Sequence, residues 1–220
     1  MRTSLVVLAL FLASASASAQ VSVGLRAGFS GARVSPIEGV LSPNAFRPGV
    51  AIGAFADVPV WRAVSVRPEV LYVQKGSRSF SSSFDFDFDT GETTFEEMLV
   101  ERRADYVEVP VLAHVTSPAG GRFRVGLMAG PAVAFRTFIG ASIDRRVNGE
   151  SAPYPPGTIA VVVPAPRVDV GLVAGGEVGM GPLALDLRYT AGLREVDGPS
   201  SRFKAVAVAL SYRFGLPGAR

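Results

Sequence analysis

The sequence predicts an all-β fold: eight antiparallel strands, running up and down, closed into a transmembrane barrel. Three observations predict it. Large apolar residues alternate with small or polar ones through eight separate segments, the period-2 pattern of a strand with two different faces. Each segment runs to roughly ten to fourteen residues, enough for a tilted strand to cross a bilayer. The connections alternate long and short, which sends every short turn to one end of the barrel and every long loop to the other.

Composition supports the membrane reading. The 220 residues suffice for one domain, and 48% of them are apolar. Mean hydropathy is +0.32. Beyond the first twenty residues, no window approaches the ~18 continuous apolar residues of a spanning helix. High hydropathy without such a helix fits apolar side chains spread over alternating strands. Cysteine is absent, which excludes a disulfide framework and a thiolate metal site. The net charge of +3 is dispersed, and no basic cluster interleaved with aromatics points to nucleic acid.

The first residues carry an address. Arg2 is a positive start, residues 5–13 are apolar, and Ala17-Ser18-Ala19 is an A-x-A site. This predicts a secretory signal peptide over residues 1–19, cleaved after Ala19, and a barrel domain over 20–220. The apolar run is too short for a membrane anchor. With no Cys after the cleavage site, a lipoprotein is excluded.

The elements follow in order. Residues 21–30 form the first strand, with Val21, Val23, Leu25, Ala27 and Phe29 on one face. Residues 31–45, with Pro36, Gly39 and Pro43, read as a loop. The second strand covers 46–57, and a turn is expected at 58–61. The third covers 62–75, with Pro68 predicting a local bulge because proline cannot donate to a ladder. Residues 76–102 are long and polar, and the repeat Phe-Asp-Phe-Asp-Phe-Asp at 84–89 before Thr90-Gly91 predicts a hairpin standing above the membrane. The fourth strand is 103–116 and the fifth 122–135, joined by a tight turn at 117–121. Residues 136–166, with five prolines, read as a further long loop. The sixth strand is 167–179, Met180-Gly181 is the shortest connection, and the seventh is 182–193. Residues 194–202 form a moderate loop. The last strand, 203–214, has Val206, Val208, Leu210, Tyr212 and Phe214 on one face and small residues with Arg213 on the other.

Aromatics fall near strand ends, as interface girdles do. Phe29, Tyr72, Phe135 and Tyr189 are expected at the outer rim. Trp61, Phe123, Tyr212 and Phe214 are expected at the periplasmic one. Tyr106 and Phe203 point inward by parity. An open sheet edge in lipid would leave backbone groups unpaired at several kcal/mol each, so the last strand must pair with the first.

Parity assigns a charged interior. Arg26, Arg67, Arg124, Arg188 and Arg213 face inward with Glu69, Glu108, Asp169, Glu177 and Asp186. An eight-stranded barrel is just wide enough for side chains, and isolated charges there are expensive, so an ion-pair network is expected. Its sharper alternative is a gated polar pathway. The single histidine, His114, falls near the periplasmic end of the fourth strand and reads as a packing residue. No catalytic or cofactor-binding motif appears, so neither catalytic residues nor a cofactor is expected. Asp85, Asp87 and Asp89, with Glu92, Glu96 and Glu97, form an acidic run. In an extended segment the three aspartates share one face that would suit a hard cation, but a solvated face is the commoner meaning. Phe84, Phe86 and Phe88 form an apolar stripe beside it.

Several motifs add up to a resemblance. They are GLRAGFS from Gly24, RPEVLYVQKG at 67–76, DYVEVPVL at 105–112, GLMAGP at 126–131, DLRYTAGL at 186–193 and ALSYRFG at 209–215. Together these resemble the PorT-like outer membrane β-barrel domain family over nearly the whole mature chain. The last strand also looks like the C-terminal recognition strand of outer-membrane barrels, with Tyr212 and Phe214 as the insertion signal. The resemblance implies an eight-stranded barrel in the bacterial outer membrane. It implies as partners the membrane lipid, the barrel-insertion machinery, periplasmic chaperones and envelope proteins reached through the outer loops. One namesake is linked to type IX secretion, while activity is left open. The functional expectation is a non-enzymatic surface-interaction or envelope-assembly protein. Its alternatives are a narrow channel for ions or small solutes, a rim enzyme using His114, and a soluble lipocalin-like barrel.

Overall fold

The computed structural model describes residues 21–34, 44–117, 123–153, 166–195 and 202–214. Ten strands are present in them: β1 (Ser22–Val34), β2 (Asn44–Ala45), β3 (Arg47–Trp61), β4 (Val64–Phe86), β5 (Thr93–Thr116), β6 (Arg124–Val147), β7 (Glu150–Ser151), β8 (Val168–Met180), β9 (Leu183–Glu195) and β10 (Arg202–Phe214). Eight of them form a closed antiparallel ring in the order β1-β3-β4-β5-β6-β8-β9-β10. The two-residue strands β2 and β7 add to β4 and β6 at the loop end. The leader expected over residues 1–19 lies outside the described residues.

Closure is made by β1 and β10. Their register runs unbroken from Val23 opposite Phe214 to Val34 opposite Phe203. No edge is left through the barrel wall, which in hydrocarbon is the condition for a sheet to exist at all.

The two faces are sorted as parity requires. Val206, Val208 and Leu210 of β10 point out and are 38%, 46% and 54% exposed, while Ala205, Ala209 and Ser211 are buried. The other strands repeat the arrangement, with Leu25, Ile52, Leu127 and Leu185 outside and Arg26, Arg67, Glu177 and Asp186 inside. An apolar exterior around a charged interior inverts a water-soluble core. Of the expected girdle aromatics, Phe29, Phe135, Tyr189, Trp61, Phe123, Tyr212 and Phe214 are exposed and Tyr72 is half-buried, while Tyr106 and Phe203 are buried in the lumen.

Several sequence expectations are corrected. The turn placed at 58–61 is strand: β3 runs through Trp61 and the chain reverses at 62–63, where Arg62 takes a φ of 39°. Pro59 is accommodated by a register shift between Pro59 and Trp61. The bulge expected at Pro68 is absent. Pro68 stands opposite Val111 and Leu71 opposite Glu108, one continuous register; the pairing to β5 lapses at Glu69 and Val70, and that to β3 between Glu69 and Val66. The missing donor therefore interrupts a ladder without displacing it. β1 continues through Val34, into the stretch expected to be a loop.

The larger correction concerns the outer loops. Residues 76–102 are mostly strand, because β4 and β5 keep one register from Val64 opposite Val115 to Phe86 opposite Thr93 and pair at every position from Leu71 outward. β6 likewise runs to Val147, through more than a third of the loop expected at 136–166. These strands have 23, 24 and 24 residues, whereas β1, β8, β9 and β10 have 13. At ~3.3 Å per residue the extra ten carry a three-stranded sheet roughly 30 Å beyond the ring along the strand direction.

Candidate functional site

Three ionic layers fill the lumen. At the end where β1 begins and β10 stops, with the 62–63 and 181–182 turns, Arg67 binds two carboxylates. Its Nε lies 2.6 Å from Asp57 Oδ1 and its Nη1 2.8 Å from Glu177 Oε2. Arg213 reaches the same pair, with Nε 3.1 Å from Asp57 Oδ2 and Nη2 on Glu177 Oε1. Arg124 Nε stands 3.8 Å from Glu177. His114 is wedged between the carboxylates, Nδ1 3.3 Å from Asp57 and Nε2 3.4 Å from Glu177, and is almost fully buried. Three guanidiniums thus share two carboxylates, an excess of one positive charge.

The middle layer is balanced. Arg26 Nη2 donates to Asp186 Oδ1 at 2.7 Å. Arg188 grips Glu69 bidentately at 2.6 and 3.0 Å and also contacts Asp186 at 3.1 Å. Bidentate pairs are the arrangement that best offsets removal of both ions from water. In the third layer Lys75 lies 2.8 Å from Glu108 and 3.6 Å from Asp169, an excess of one negative charge. The lumen is neutral over its length and polarised along its axis.

Apolar side chains pack between and above these layers. Leu112, Met128, Ala132 and Val173 form one cluster, and Val34, Ala104, Tyr106, Ala134 and Phe203 another. The Tyr106 and Phe203 rings meet edge to face at 6.3 Å. The Lys75 ammonium sits 5.1 Å from the Tyr106 ring centre, so this aromatic pair closes over the third layer. A cavity of about 30 Å³ remains between Arg26, Lys75, Glu108 and Arg188. It holds one or two water molecules at most.

All ten residues assigned to the network from parity face the lumen and enter its ion pairs: Arg26, Arg67, Glu69, Glu108, Arg124, Asp169, Glu177, Asp186, Arg188 and Arg213. Sequence reasoning missed Asp57 and Lys75. Asp57 stands two residues after the buried Phe55, so parity points it inward, but a turn placed at 58 hid that. Lys75 was on the correct face at the presumed end of a strand that in fact continues. His114 belongs to the same network.

The outer end carries a second set of contacts, on the outside of the wall. Tyr72 donates to Asp105 Oδ2 at 2.6 Å, and Arg103 binds the same carboxylate through Nε and Nη2. Next to them Arg47 and Arg78 share Glu101 at 2.9 and 3.0 Å. A polar belt thus separates the apolar wall from the projecting sheet. On the outward face of that sheet Phe80 stands opposite Leu99 and Phe84 opposite Phe95, all exposed. At its tip Asp87 accepts the backbone N–H groups of Asp89 and Thr90, which holds its carboxyl below the usual range.

The acidic run does not form the shared face expected of it. Asp85 is in β4, whereas Asp87 and Asp89 lie in the reversal at 87–92. Among the described residues no group of three or more metal-ligating side chains is placed to hold an ion. Tyr212 and Phe214 lie side by side on the outer face of β10, ring centres 5.1 Å apart.

Several solved outer-membrane proteins are similar to this chain. Neisserial surface protein A shares 12% identity at a TM-score of 0.41, over 88% of this chain and 99% of its own. Ail, the attachment invasion locus protein of Yersinia pestis, in complex with the heparin analogue sucrose octasulfate, shares 8% at 0.40, over 89% and 99%. The N-terminal β-barrel domain of Pseudomonas aeruginosa OprF shares 12% at 0.39, over 90% and 100%. No curated protein matches the chain. One family model, described as outer membrane protein beta-barrel domain, matches residues 13–198. With that match covering most of its length, and with a closed ring of eight strands that is apolar outside and charged within, the chain belongs to the outer membrane protein beta-barrel domain family of the bacterial outer membrane.

Proposed function

We propose that this protein is a non-enzymatic outer-membrane barrel whose projecting β4–β5–β6 sheet mediates surface interaction or assembly of an envelope complex. The observation that carries the reading is the contrast between the two ends of β4. Inside the ring its side chains are locked into buried ion pairs, and beyond the ring it presents exposed phenylalanines on a paired hairpin. Ion pairs and apolar clusters across the lumen support a structural barrel over a channel, and the cavity of about 30 Å³ between Arg26, Lys75, Glu108 and Arg188 has room for only a water molecule or two. His114, held between two carboxylates and Arg67, supports a packing role over a catalytic one. The resemblance to PorT-like barrels supports envelope or secretion assembly as the setting. Under the same reading Tyr212 and Phe214 act as the insertion signal, residues 1–19 as a cleaved leader, and periplasmic chaperones and the insertion machinery as partners in biogenesis.

The test pairs conductance with hairpin trimming. Purified protein in a planar bilayer is expected to give no resolved current steps. Replacing residues 80–99 by a short turn is expected to leave heat-modifiable gel mobility intact and to remove site-specific cross-links formed on whole cells from the hairpin. Well-resolved steps that vanish in Arg67→Gln or Glu108→Gln would give the function to a channel instead.

A further inference from the structure

Among the described residues, the projecting part of β4 has an edge that no strand covers beyond Ser79. β3 pairs with β4 as far as Val73, and β2 covers Arg78 and Ser79. Beyond Ser79 only β5 pairs with β4 among the described residues. The Asp87 N–H donates to Glu92 O, so the backbone groups of Asp87 face β5. Backbone groups alternate in direction along an antiparallel strand. Ser81, Ser83 and Asp85 therefore face β5 too, and Phe80, Ser82, Phe84 and Phe86 aim their N–H and C=O groups at the free side. A row of this kind, unpaired among the described residues, is a template for another strand.

The side chains along this edge describe what fits it. On the outward face are Phe80, Phe84 and Phe86, with Phe84 77% exposed. On the other face are Ser81, Ser83 and Asp85. Asp85, Asp89 and Glu92 have no cationic partner among the described residues, whereas Glu96 and Glu101 are matched by arginines. A strand added here would lay alternate side chains beside phenylalanine and beside serine or uncompensated acid.

We propose that the β4 edge at residues 80–86 takes up an extended, cationic polypeptide segment as an added strand, with apolar and basic residues alternating along it. This rests on the surface-interaction reading and names the kind of partner. Charge complementarity selects a basic strand over a second copy of this chain, which would bring the same acids.

The probe is an acetylated, amidated octapeptide alternating valine and lysine, titrated by fluorescence anisotropy against the full protein in phospholipid nanodiscs. A valine–glutamate peptide is the control. Binding is expected with the lysine peptide only, weakening with salt, together with slowed amide exchange at Ser82 and Phe84. Ser82→Pro removes a donor from the free side and none from the β4–β5 ladder, so at least a tenfold loss of binding is expected with gel mobility unchanged. Asp85→Lys is expected to cause a similar loss by reversing charge, and it decides the matter if Ser82→Pro fails to insert. Equal binding by both variants, or by both peptides, overturns the proposal. So does self-association abolished by Ser82→Pro without peptide binding, which would give the edge to a second copy. If trimming residues 80–99 removes the whole-cell cross-links while these variants keep them, the surface-interaction reading stands and the edge assignment falls.

Discussion

Arg67 of β4 and Glu177 of β8 meet across the lumen, Nη1 donating to Oε2 at 2.8 Å with side chains 1% and 0% exposed. They are 110 positions apart in sequence, so the pair forms only when the ring has closed. Glu177 is also the carboxylate on which Arg213, Arg124 and His114 converge. Removing it leaves three guanidiniums around Asp57 alone. Glu177→Gln is therefore expected to destabilise the barrel by about 3–5 kcal/mol, the usual cost of orphaning a buried charge. Urea unfolding in phospholipid vesicles, followed through the single Trp61, measures it. A loss below 1 kcal/mol would mean that water enters this layer freely.

Close packing around the same layer makes a second prediction. A Cβ on Gly126 would lie 2.7 Å from His114 Nε2 and 2.9 Å from Glu177 Cγ, and neither side chain has room to retreat. Gly126→Ala is expected to cost about 1–3 kcal/mol by overpacking. Gly149→Ala has no neighbour within 4 Å, but it sits at a φ of 85°, so its cost is local strain in the 148–149 turn and leaves the barrel's unfolding transition in place. Vesicle unfolding of the two variants side by side separates packing from turn strain.

The projecting sheet offers a pH test outside the membrane. Arg145 of β6 donates to both Glu96 oxygens, Nε at 2.6 Å and Nη2 at 3.2 Å, and holds that carboxyl below the ordinary glutamate value. A carboxyl lowered in the folded state adds stability above its unfolded pKa and loses it as pH falls through the folded one. The Glu96 side-chain carbon signal is thus expected to titrate below the ordinary glutamate range, and Arg145→Gln is expected to raise it into that range. Coincident titration of Glu96 in the unmodified protein and in Arg145→Gln would show that the pair does not persist in solution.

Barrel wall and lumen were legible in the sequence for a physical reason. Period-2 alternation survives any uncertainty about strand ends, so Arg26, Glu69, Asp186 and Arg188 were assignable to the interior without knowing their partners. Who pairs with whom was not legible, because Glu69 and Arg188 are brought together by register around the ring. The projecting sheet was hidden in part. Residues 77–83 are mostly serine, with weak alternation, and Gly76 and Pro153 read as loop punctuation. Cross-strand pairing to β5 holds them extended where their own propensity does not. Asp57 was lost to a turn signal, Val58-Pro59, that a register shift absorbs.

Two phenylalanines at opposite ends of β10 separate stability from biogenesis. Phe203 is 4% exposed and packs edge to face on Tyr106, while Phe214 is 44% exposed on the outer face beside Tyr212. Phe203→Ala opens a hole in the apolar cluster over the third ionic layer and is expected to cost about 3–5 kcal/mol at equilibrium. Phe214→Ser removes lipid-facing area at the last described residue of the strand, next to the seam with Val23, and its equilibrium cost is expected to be the smaller of the two. If Phe214 is read during insertion, its replacement slows assembly into vesicles that carry the insertion machinery and leaves spontaneous folding into thin bilayers nearly unchanged. Phe203→Ala is expected to lower final stability in both systems alike. Equal slowing of Phe214→Ser with and without the machinery would reduce that side chain to an interfacial anchor.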